Sequence, residues 1–208
     1  MNRPTFAAIM LLPLSAAAAP SHAESNGPPP SFTAAAKFGG AFPGIFSGLE
    51  AAPQVQLEAG ALFLDGRVDA DLVFGYQQPP ASGGGEDPRL SAGDYSWTID
   101  QQIISVGLLG RYRFTPVHLP LRWYALLSPK AYLMQTTTTG ESGGESLGEN
   151  RQYDAELAVE VGVGAELDAG PGAALAELDL TFGGLVGKIT GDVPSSSAGL
   201  LLGYRIGF

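Results

Sequence analysis

Between Tyr153 and Leu167 every second residue is apolar or aromatic: Tyr153, Ala155, Leu157, Val159, Val161, Val163, Ala165 and Leu167. The positions between them include Asp154, Glu156, Glu160, Gly162, Gly164 and Glu166. A period of two puts the two sets on opposite faces of a strand, whereas a helix would scatter the glutamates around its circumference. The same alternation recurs over Phe32–Phe38, Val55–Phe63, Val68–Tyr76, Ile104–Phe114, Leu121–Leu133, Ala174–Phe182 and Ala198–Phe208. No apolar-face position in these registers carries a charge. The pattern predicts eight strands.

The segments between the strands alternate in length. Gly39–Pro53, Gln77–Ser96 and Thr136–Asn150 read as long loops, the last being TTTTGESGGESLGEN. Asp65-Gly66 reads as a tight hairpin turn. Thr115–Pro120 and Asp168–Gly172 are short, and Gly187–Ser196 is intermediate. Long and short connections in alternation fit an up-and-down barrel with one rim facing the cell exterior and the other the periplasm. Pro129 falls within the fifth strand, where a missing N–H predicts a bulge, a strand end or a register change.

Composition narrows the reading. Charged residues make up 15% of the 208, against about 25% in ordinary soluble domains. The absence of cysteine excludes disulfides and thiolate chemistry. A net charge of −10 argues against nucleic acid as a partner. Arg3, the apolar run Thr5–Ala19 and the small residues of Ser21-His22-Ala23 make residues 1–23 a secretory signal peptide, cleaved after Ala23. Residues 24–31 (ESNGPPPS) read as an extended linker, and 32–208 as the barrel domain.

Three objects share such an alternation: a β-sandwich, a soluble barrel with an apolar lumen, and a membrane barrel with its apolar face toward lipid. The polar face carries charges of both signs and many glycines, among them Gly60, Gly75, Gly107, Gly162, Gly164, Gly199, Gly203 and Gly207. Strand glycines weaken a solvated face but make room in a narrow lumen. Aromatic residues also gather at the strand ends: Phe74, Tyr76, Tyr153 and Phe182 near long loops, and Phe63, Tyr112, Phe114, Trp123 and Phe208 near short turns or the C-terminus. That distribution matches the two aromatic girdles of a membrane barrel. The fold class expected is all-β, an eight-stranded antiparallel up-and-down transmembrane β-barrel.

The ending LLGYRIGF sets Tyr204 and Phe208 on one face of the last strand. It resembles the C-terminal assembly signal of bacterial outer-membrane barrels, and the mature chain resembles the small OmpA-, OmpX- and OmpW-like group. The resemblance implies residence in the bacterial outer membrane, insertion by the barrel assembly machinery, and contact with outer-membrane lipids and lipopolysaccharide. A monomer is expected, without a peptidoglycan-binding domain after the barrel.

For function, the first expectation is a non-enzymatic barrel serving the envelope through its structure or its exposed loops. Its inward charges, with Arg67, Arg111, Arg113, Arg122, Glu156 and Glu160 singled out, would form an ion-pair network. The alternative is small-molecule binding or transport, with Leu62, Leu64, Val73, Leu109, Leu126 and Met134 on the inward parity as an apolar pocket. A lipid-modifying enzyme is a third reading, weakly supported. His22 leaves with the leader, His118 lies in a short turn on the presumed periplasmic side, and Asp69 and Asp71 face inward among arginines. Glu86, Asp87 and Asp94 in one loop, and Glu141, Glu145 and Glu149 in another, lack the spacing of a calcium loop. No catalytic residue, cofactor or metal ligand is assigned.

Overall fold

The computed structural model describes residues 31–45, 47–183 and 196–208. The leader, the linker up to residue 30 and most of the last connection lie outside the described residues. Ser31, assigned above to the linker, opens the first strand. The strands are β1 (Ser31–Phe42), β2 (Ala52–Phe63), β3 (Val68–Gln77), β4 (Pro80–Glu86), β5 (Asp94–Arg113), β6 (Leu121–Ser142), β7 (Glu145–Ala169), β8 (Gly172–Gly183) and β9 (Ser197–Gly207). All pair antiparallel, and β1 with β9 joins the two ends of the chain. Both β3 and β4 pair with β5, so they are two halves of one stave and the ring has eight staves. The break falls at Gln78-Pro79, next to Pro80; two successive residues without N–H donors cannot carry a ladder.

The alternation is realised as inside and outside. Val159 is 43% exposed and Leu180 40%, while Arg111 is 1% exposed. Val55, Leu72, Val106, Leu127 and Leu202 also face outward, and Lys37, Glu58, Asp69, Asp71, Glu177 and Arg205 are enclosed. The oily surface is therefore the outer wall of a closed sheet, the arrangement that satisfies every backbone group in lipid.

The loops differ from the sequence reading. Gln77–Ser96 and Thr136–Asn150 are mostly strand: β4 pairs with the first part of β5 from Pro80↔Asp100 to Glu86↔Asp94, and β6 runs on to Ser142. β6 and β7 are joined through Gly143 and Gly144, with φ of +58° and +82°. Threonine is a strand former, and Thr136–Thr139 are paired on both sides, with Gln101–Thr98 and with Gln152–Glu149. In β4 the rings of Tyr95 and Trp97 lie over Gly85 and Gly83, supplying contact area that the glycines lack.

Two local expectations are also corrected. The β2–β3 turn spans Leu64–Arg67, with positive φ at Leu64, Asp65 and Gly66, instead of Asp65-Gly66 alone. Pro129 causes no strand end, bulge or register change: β6 pairs with β5 in one register on either side of it, and the shift within β6 falls at Gly140/Glu141. What the proline removes is local. The pairs opposite Leu108 and Leu109 drop out of the β5–β6 ladder, and the Ser128 hydroxyl donates to the Leu108 carbonyl at 2.7 Å.

The outer apolar belt ends at Tyr76, Ile104, Leu133 and Tyr153, beyond which Gln78, Gln102 and Arg151 face outward. A membrane strand needs about 9–11 residues. β5, β6 and β7 have 20, 22 and 25. Their surplus, with β4, rises past the belt as a four-stranded blade about 26 Å long at the usual strand rise. At its base Leu49 packs with Ala81, Ile99 and Trp97, and the Glu50 N–H donates to the Pro80 carbonyl at 2.7 Å.

Candidate functional site

The lumen holds the densest chemistry. In the half nearer the short turns, Arg111 on β5 donates to Asp71 at 2.7 Å and Glu177 at 3.3 Å, and also to Glu58. Lys37 on β1 bridges Glu58 and Glu177. The Tyr124 hydroxyl donates to Glu177 at 2.8 Å, and the Arg111 guanidinium stands 5.5 Å from the Tyr124 ring centroid. Gly164 lies under that ring; a Cβ there would come within 2.4 Å of it. Toward the short-turn rim, Arg113 meets Asp69 at 2.8 Å and Glu166 at 2.9 Å, and Arg205 meets the same two carboxylates at 2.7 and 2.9 Å. Arg122 joins Glu166 at 2.8 Å and pairs with Asp168.

Burying a charge costs several kcal/mol unless it is paired. Alternating the signs across neighbouring strands meets that cost and fills the lower lumen with side chains. Of the charges singled out from sequence, Arg111, Arg113 and Arg122 belong to this network. Glu160 sits higher, paired with Lys130 at 2.6 Å, and Glu156 is half-buried on the same strand. Arg67 does not belong: it is the last residue of the β2–β3 turn and is exposed. Tyr124 was not anticipated, although its parity, opposite to that of Trp123, was the available signal.

The inward apolar residues do not form one pocket. Val73, Leu109 and Leu126 pack with Ala35, Tyr124 and Leu175. Met134 packs with Ile103, Tyr132 and Ala158. Leu62 lines a cavity of about 230 Å³ at the short-turn end of the barrel, beside Arg113, Arg122 and Glu166. Leu64 is exposed in the turn.

The remaining candidates are dispersed. His118 is exposed on the β5–β6 connection, at the opposite end from the blade. Asp69 and Asp71 are occupied by the arginines just described. On the blade, Glu86 and Asp94 face each other across β4 and β5. Arg89 binds Asp87 at 2.6 Å, and this hydrogen bond holds the Asp87 carboxyl below the usual carboxylate range. Glu149 pairs with Arg151 at 2.8 Å. Among the described residues, no three carboxylates or histidines are grouped to hold a metal.

No protein-family model matches the sequence, and no curated protein matches it. Solved structures do. A major outer membrane protein from Thermus thermophilus aligns at a TM-score of 0.53 and 15% identity, over 85% of this chain and 99% of that one. Neisserial surface protein A aligns at 0.44 and 18%, over 86% and 97%. The N-terminal β-barrel domain of Pseudomonas aeruginosa OprF aligns at 0.42 and 18%, over 84% and 97%. The chain has the fold of the small outer-membrane β-barrels.

Proposed function

We propose that this chain is a non-enzymatic integral protein of a bacterial outer membrane, a monomer whose role is to present the β4–β7 blade at the cell surface. The observation that carries this reading is the length of β5, β6 and β7 beyond the apolar belt. Strands that only crossed the bilayer could stop near Gln102, Gln135 and Gln152. A rigid sheet, with Leu147 exposed among polar neighbours, is a binding platform that flexible loops would not provide. The tightly paired lower lumen argues for a structural core over a transport route. Insertion by the barrel assembly machinery and contact with lipopolysaccharide follow from such a setting.

The test is a chain in which Thr137–Arg151 is replaced by a two-residue turn. The shortened barrel should still run faster on gels before boiling than after, as folded barrels do. Cells displaying it should lose the adhesion or aggregation that the full chain confers. Unchanged surface behaviour in a folded, displayed, shortened chain would overturn the proposal.

A further inference from the structure

The two sides of the blade differ in chemistry. Residues paired directly across strands share a face. Gln101, Thr136 and Gln152 form one row; Ile99, Thr138 and Asn150 form the next; Trp97, Gly140 and Gly148 form the one above. All three rows lie on the side that continues the lumen wall, because buried Ile103 shares the parity of Gln101. This side therefore turns toward the barrel axis, above the mouth. None of its three rows carries a charge. Glu145 at the tip aside, the charges on the blade strands fall on the opposite side: Glu86, Asp94, Asp100, Glu141, Glu149 and Arg151.

The uncharged side has the shape and the groups to receive a flat, neutral ligand. Trp97 is half-buried, with one ring edge laid over Gly83. Its neighbour on β6 is Gly140, and the nearest atoms to a Cβ added there would be those of Leu147, at 3.5 and 3.6 Å. Trp97 and exposed Leu147 thus flank a trough whose floor is Gly140. A glycine inside a strand weakens it and often marks the close approach of a ligand. In the rows below, Thr138 Oγ1 and Gln101 Oε1 have no hydrogen-bond partner among the described residues, and such groups call for one. Asn150 and Gln152 add amides on the same side, each able to donate and accept. An aromatic ring beside uncharged donors and acceptors suits a sugar. The C–H face of a pyranose packs on the ring, and its hydroxyls exchange hydrogen bonds with amides and hydroxyls. A sulfated or phosphorylated glycan would find no cation in these rows. Because this side faces the axis and not the surrounding membrane, its ligand comes from outside the cell.

We propose that the inner side of the blade binds a neutral glycan presented from outside the cell, with Trp97 as the stacking surface and the Gly140 trough as its seat. This rests on the display of the blade at the cell surface. The full chain in nanodiscs, laid over an array of neutral, sialylated and sulfated oligosaccharides, should bind neutral members. The chain has two tryptophans, Trp97 and Trp123. In a Trp123→Phe background the emission of Trp97 should therefore shift saturably with the strongest neutral member. Trp97→Ala and Gly140→Val should each weaken binding about tenfold, and Glu149→Gln on the charged side should leave it unchanged. Heat-modifiable gel mobility checks that each variant is folded. If Trp97→Ala does not fold, Gly140→Val carries the test, since it puts a strand former where a Cβ has room. Three results would each overturn the site: no neutral oligosaccharide bound, a preference for anionic ones, or undiminished binding by the folded variants. Adhesion lost on shortening the blade, with no neutral glycan bound by the full chain, would leave the display role standing and overturn the glycan site alone.

Discussion

Arg111 touches carboxylates on three other strands from a position with 1% exposure. Truncating it would leave Glu58, Asp71 and Glu177 facing one another with only Lys37 between them. Arg111→Met should therefore cost about 3–5 kcal/mol, the range for breaking a buried pair, measured as a shift in urea-unfolding equilibrium in lipid vesicles. A loss below about 1 kcal/mol, the level of an exposed pair, would mean that Lys37 and Arg113 rearrange to carry the charge. On the outer wall the logic reverses. Val159 is 43% exposed on the outer wall, between Pro129 and Phe182, so in a bilayer Val159→Arg should cost about 2–4 kcal/mol near the centre. Normal folding of that variant into bilayers would contradict the depth assigned to β7.

At the scale of elements, β6 shows how a strand tolerates proline. Pro129 lacks the N–H that its position opposite Leu108 would use, and the Ser128 hydroxyl takes over the Leu108 carbonyl. Ser128→Ala should therefore destabilise the barrel by about 1–3 kcal/mol, the cost of an unsatisfied buried group. Pro129→Val, which restores a backbone donor, should recover most of that loss in the double variant. Additive losses in the cycle would show that the serine acts elsewhere. The blade belongs to this scale too. Thr136–Thr139 was legible as polar and β-branched, but polarity alone was read as a loop; pairing on both sides made it strand. The Gln78-Pro79-Pro80 break was readable from its prolines, whereas its resumption as β4 depended on β5 lying alongside.

For the whole molecule, closure is the decisive event. Phe32 and Phe208 exchange backbone hydrogen bonds at 3.0 and 2.9 Å, joining the first strand to the last residue of the chain. Deleting Phe208 should lower assembly yield in the outer membrane while leaving export intact, scored by the heat-modifiable fraction; an unchanged yield would remove the terminal residue from the closure step. The inside and outside of the barrel were legible in advance because a two-residue period is local. Each strand carries its own record of which side chains meet lipid, and the polar-face glycines marked the cramped side. Partnerships in the lumen were not legible. Arg111 lies forty residues from Asp71 and sixty-six from Glu177, and only the stagger between strands decides which charges come level. The same stagger decided how far β5, β6 and β7 climb past the apolar belt, while the four-residue β2–β3 turn left Arg67 outside. The sequence by itself determined the face of each residue, through backbone geometry within one strand. Tertiary structure alone determined height and company, because these depend on register between segments far apart in the chain.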